Sequence, residues 1–152
     1  MESRLEKFDQ RIAKHMKIYG ILAVRISFAI IFFWFGILKP LGLSSAIPIV
    51  EATVSWLPFI EPEVWVNIIG WWEVTIGISF LFKKTTRIAI GLLFSQMFGT
   101  FMPLIFLPEV VYQNNNVFIP TLEGQYIIKN LMIISAALVL GGKLYIKDKI
   151  NR

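Results

Sequence analysis

The chain has 152 residues and a formal net charge of +5; it is 56% hydrophobic, only 16% charged, and contains no cysteine. The missing thiols exclude disulfide exchange, thiolate catalysis and thiolate-held metals on this chain. Soluble domains are roughly a quarter charged; here the charge content is lower and the apolar residues gather in long runs, which excludes an ordinary water-soluble domain and points to a membrane protein of one domain.

The first seventeen residues form a basic leader with Arg4, Lys7, Arg11, Lys14 and Lys17. Leu5, Phe8, Ile12 and Met16 fall near helical spacing between them. Two structures fit this pattern: an amphipathic helix lying on the inner leaflet, or an extension of the helix that follows. The single histidine, His15, sits in this leader as a solvated residue, so no metal centre is expected. The leader has no cleavage site of small residues, and the first apolar run is read as a retained helix.

A bilayer core of about 30 Å needs about 20 helical residues. Spans are predicted at 18–38, 64–82, 88–107 and 124–142, the last with its apolar centre at 126–140. Lys39-Pro40 ends the first span, because the residue before proline is pushed out of the α region. The connection after it is apolar rather than polar. Ser45 is positioned to cap a short helix near Pro48, with Pro58 and Pro62 to stop it. That helix is expected at the outer interface, with Trp56 and Trp65 as anchors. Lys83, Lys84 and Arg87 mark a tight basic turn between the second and third spans. Pro103 predicts a kink in the third span, and Asn114, Asn115 and Asn116 predict a turn before the fourth. Gly141-Gly142 is read as the end of the fourth helix, with a tail at 143–152. The fold class is therefore an all-α, four-span membrane bundle with a short interfacial helix between spans one and two.

Basic residues set the orientation. They crowd the leader, the turn after the second span and the tail, while the other two loops hold Lys39 alone beside five glutamates. Positive charge inside places both termini in the cytoplasm. The same distribution, together with anionic-lipid contact, accounts for the net charge without nucleic-acid binding.

Three spans carry an ionisable residue: Arg25, Glu73 and Lys129. Each costs roughly 2.5–3.5 kcal/mol at a bilayer centre on insertion scales, so such residues are paired or used. Glu73 shares a helix face with Gly70 and Gly77, which mark close backbone approach and turn it into the bundle. Gly91, Ser95 and Gly99 form a similar ridge on the third span, with Gln96 beside it, and Ala23 and Ser27 flank Arg25. Counting from the basic boundaries places Arg25 and Glu73 within roughly 3 Å in depth, so a pair between antiparallel helices is geometrically easy. Lys129, with Asn130 next to it, lies roughly 6 Å further out and either reaches Glu73 or snorkels toward Glu123. Arg25, Glu73, Gln96, Lys129 and Asn130 thus form the candidate polar core. It is either a structural ion pair that fixes helix register or a pocket for the polar head of a lipid-soluble molecule.

Several motifs resemble the DoxX superfamily of small four-helix membrane proteins, and within it the branch of YkgB-like reactive-chlorine-resistance proteins. They are Arg25, Ile26, Ser27, Phe28 and Ala29 with Trp34, Phe35, Gly36, Ile37, Leu38 and Lys39; Trp72-Glu73 with Ile76-Gly77; and Gly124 to Asn130 with Ser135, Ala136 and Ala137. The resemblance implies a bacterial inner-membrane protein linked to oxidative or hypochlorous stress, and it covers Arg25, Glu73 and Lys129. One relative in that family is a subunit of a thiosulfate:quinone oxidoreductase; others are assembly factors or cargo receptors. A redox role built on thiols does not fit a chain without cysteine. Three functions follow as expectations: an accessory protein binding a quinone-like molecule, a scaffold or assembly chaperone that contacts a membrane-protein partner or a second copy, and a proton or small-solute conduit.

Overall fold

A computed structural model describes the backbone of residues 4–150 and the side chains as far as Leu144. Helices α1 (Arg4–Leu38), α2 (Ile47–Val54), α3 (Pro62–Leu81), α4 (Thr86–Phe101), α5 (Pro103–Phe106), α6 (Pro108–Val111) and α7 (Leu122–Ile150) follow in order, with a 3-10 turn at Gln113–Asn115. Among the described residues, four stretches are long and apolar enough to cross a membrane: Arg4–Ile37, Pro62–Leu81, Thr86–Phe106 and Leu122–Leu144. The all-α architecture with four long apolar helices agrees with the sequence reading.

α1 runs unbroken through the leader, so the extension is what forms rather than a separate helix. Every residue from Arg4 to Tyr19 is exposed. α2 lies where a short helix is expected, but Ser45 does not cap it. Its N-cap is Ala46, Pro48 occupies the first turn, and the hydroxyl of Ser44 accepts from the Ala46 N–H at 3.3 Å. Proline needs no N–H partner in the first turn, so this helix starts without a side-chain cap. Pro103 interrupts the helix of the third span where a kink is expected: the Met102 N–H bonds to Gly99 O at 3.1 Å, and α5 restarts at the proline.

Gly141-Gly142 does not end the last helix, which continues to Ile150. Glycine in a helix interior costs only about 1 kcal/mol and retains its N–H, unlike proline. No proline follows the pair to force a stop. The expected tail at 143–152 is therefore helical as far as it is described, and Asn151 and Arg152 lie outside the described residues. The asparagine run does form the turn: Asn114 and Asn115 have φ of 51° and 56°, a region their short polar side chains tolerate. An isolated antiparallel bridge between Tyr112 and Pro120 closes that loop.

The core is built from Phe28, Ala29 and Phe32 on α1, Ile76 and Phe80 on α3, Ala89, Leu93 and Met97 on α4, and Ala137 and Leu140 on α7. The outside is as apolar as the inside. Trp34, Phe35, Trp71, Phe98 and Met132 are all exposed. Large apolar surface of this extent is untenable in water and natural in lipid.

α1 and α3 make the most extensive helix contact, and glycines let them approach closely. A Cβ on Gly36 would stand 2.8 Å from Glu73 Cβ, and one on Gly77 would stand 2.5 Å from the Phe33 backbone nitrogen. Gly70 meets Pro40 and Lys39 in the same way. The expected close approach at Gly70 and Gly77 is thus present. At Gly91 and Gly99 it is not: nothing lies within 4 Å of a Cβ at either, and Ser95 is exposed between them. That ridge faces away from the bundle because Ala89, Leu93 and Met97 occupy the inward face of α4. Gly124 has the tightest surroundings, with Val111 O 2.1 Å from an added Cβ. Gly124→Ala must therefore push α7 away from α6. The expected result is a lower melting temperature, corresponding to at least the roughly 1–3 kcal/mol typical of overpacking.

Candidate functional site: a buried Lys39–Glu73–Gln96 cluster

Glu73 sits in the middle of α3 and uses both carboxylate oxygens. Lys39 Nζ donates to Oε2, forming a buried salt bridge. Gln96 Nε2, from α4, donates to Oε1 at 2.9 Å. The side chains of Lys39 and Glu73 are 6% and 14% exposed, so the pair is screened on almost all sides. Three helices therefore converge on one carboxylate. An ion pair held this far from water depends on such extra hydrogen bonds to offset the desolvation of its charges.

Local sequence explains the convergence. Gly36 precedes Lys39 by three residues and Gly70 precedes Glu73 by three, so each glycine shares a face with its charge. The two glycines pack against the opposite helix, and this close approach carries Lys39 over Glu73. Nearby, Trp72 Nε1 donates to Leu92 O at 3.2 Å, tying α3 to α4 beside the cluster. The lysine ammonium has three protons, and Glu73 is its one side-chain acceptor here. The ammonium thus keeps donor capacity beyond its bond to Glu73.

The Arg25–Glu73 pair that depth counting allows does not form. Gly36 against Glu73, Gly77 against Phe33 and Phe80 against Phe28 fix the antiparallel register of α1 and α3. In that register Arg25 lies about eleven residues, or about 16 Å, from the level of Glu73. Basic residues near the ends of the spans do not lie at equal depth, because α1 continues as a helix beyond them. Arg25 instead meets the last turn of α3. Its Nη2 donates to Phe80 O and Leu81 O, both at 3.0 Å. These are carbonyls that a helix C-terminus leaves unpaired, at its negative end. Arg25→Met should therefore lower stability by about 1.5–3 kcal/mol for each charged hydrogen bond lost. Arg25→Lys should recover part of that, read in the same melting experiment.

Lys129 and Asn130 do not join the cluster. Lys129 is exposed, with Nζ 4.8 Å from the centre of the Tyr126 ring. Asn130 Nδ2 bonds to its own helix, at Tyr126 O and Ile127 O. Of the five candidate residues, Glu73 and Gln96 come together, Arg25 is buried elsewhere, and Lys129 and Asn130 lie on α7. Lys39 is the member that sequence reasoning used as a helix terminator, an outer-loop charge and a motif residue but did not place in the polar core. The repeated spacing of a glycine three residues before a charge, on two adjacent helices, is the signal that marks it. Among the described residues no group of three or more His, Cys, Asp or Glu is arranged to hold a metal ion.

Comparison of the chain with protein-family models, curated proteins and solved structures returns no match.

Proposed function

We propose that this is a small multi-pass accessory protein of the bacterial inner membrane, with both termini cytoplasmic, that binds the polar head of a lipid-soluble molecule beside Lys39, Glu73 and Gln96. A quinone-like compound fits, because its carbonyl oxygens accept hydrogen bonds from an ammonium and an amide. The observation that carries the reading is a lysine ammonium with spare donor capacity, held by a carboxylate inside an apolar bundle. Ionisable groups at membrane depth mark functional sites more often than not. The stress setting comes from the motif resemblance to DoxX-like proteins.

Native mass spectrometry of the protein released gently from membranes tests this. A defined small-molecule adduct is expected on the parent protein. It should be lost in Lys39→Met and in Glu73→Gln, and retained in Lys129→Met, whose side chain lies away from the cluster. A parent protein without an adduct, or an adduct indifferent to Lys39 and Glu73, would reject the reading.

A second reading, a scaffold acting through helix contacts, is favoured by the outward ridge of Gly91, Ser95 and Gly99. Small residues let membrane helices approach closely, and the space over both glycines is open. A photo-crosslinker at Ser95 should then yield a dimer or a single partner band in membranes. Monomer alone would count against it.

A further inference from the structure

On the outer side of the α1–α3 contact lies an open groove of about 290 Å³, lined by Ile26, Ala29, Ile30, Phe33, Ile78 and Leu81. All six residues are apolar, and all except Ala29 are exposed, so the groove faces the surroundings of the bundle rather than its interior. One end adjoins the α3–α4 turn. There Leu81 is followed within three residues by Lys83 and Lys84, both exposed. Arg25 precedes Ile26 at the same end, with its guanidinium bonded to backbone carbonyls and its Nε without a partner. No Asp or Glu occurs between Asp9 and Glu51, or between Glu73 and Glu109.

We infer that the groove holds one acyl chain of an anionic phospholipid, with its phosphate facing Lys83 and Lys84. The groove supplies dispersion contacts along a flexible chain, and the lysines supply the charge complement that a zwitterionic lipid does not match. This site is separate from the Lys39–Glu73–Gln96 cluster and stands whether or not that cluster binds a ligand. Two lysines near a membrane surface correspond to roughly a ten- to thirty-fold preference for an anionic lipid.

The test uses the full chain with phosphatidylglycerol and phosphatidylcholine of identical acyl chains, and counts lipids retained in native mass spectrometry. The parent protein should retain phosphatidylglycerol about ten-fold or more over phosphatidylcholine. Lys83→Gln with Lys84→Gln should erase the preference. Because these lysines also guide insertion, a second variant leaves them intact: Ile30→Trp fills the groove and should reduce retention of both lipids. Equal retention of the two lipids by the parent would overturn the inference. So would a preference that survives the lysine substitutions, or retention that Ile30→Trp leaves unchanged.

Discussion

Lys39→Met alone should destabilise the protein by about 3–5 kcal/mol, because it leaves the Glu73 carboxylate buried without its counter-ion. Glu73→Leu alone should do the same to the Lys39 ammonium. The double variant should recover most of the loss, since replacing a buried pair with packed apolar groups is often neutral or even stabilising by about 1–4 kcal/mol. Melting of all four proteins in one detergent completes the double-mutant cycle. A single variant as stable as the parent would show that the two charges are not coupled. The double variant also separates structure from function: folded yet without its small-molecule adduct, it would assign the cluster to binding rather than to holding the helices.

The second large effect is expected along the α1–α3 contact. Gly77→Ala places a methyl group 2.5 Å from Phe33 N and 2.9 Å from Ala29 O, both backbone atoms that cannot rotate away. The helices must separate, at a cost of about 1–3 kcal/mol. Gly91→Ala and Gly99→Ala are the controls. With open space around both positions, each should leave stability unchanged or raise it by up to about 1 kcal/mol through helix propensity. If Gly77→Ala and Gly91→Ala behave alike, glycine packing is not what sets the register of α1 and α3.

The long apolar helices were legible because hydropathy over twenty residues is a sum of many small terms, and errors in single residues average out. The proline breaks at Lys39-Pro40 and Pro103 were legible because proline acts on the backbone directly. Register was not. It depends on which glycine meets which backbone, a pairwise matter between distant segments, and counting from basic residues substituted an average boundary for that contact. The same gap explains the ridge at Gly91, Ser95 and Gly99: small residues show where a helix can be approached closely, not by what. Lys39 was obscured because its proline neighbour made it a helix end, and helix ends are ordinarily wet. Here the Gly36–Gly70 approach closes over it. Glu73 was found because its helix face could be read from Gly70 and Gly77, three and four residues away, whereas Gln96 was named only for its place beside a ridge that faces outward.

The unbroken length of α1 has a mechanical meaning. Its exposed arm, from Arg4 to Tyr19, is about 23 Å long, and it passes without a hinge into a gripped segment of about 26 Å from Ile21 to Leu38. A stiff rod held at one end works as a lever with nearly equal arms. Anything that pulls sideways on the leader delivers that force to the hold of Arg25 on α3 and, at the far end of the grip, to Lys39 over Glu73.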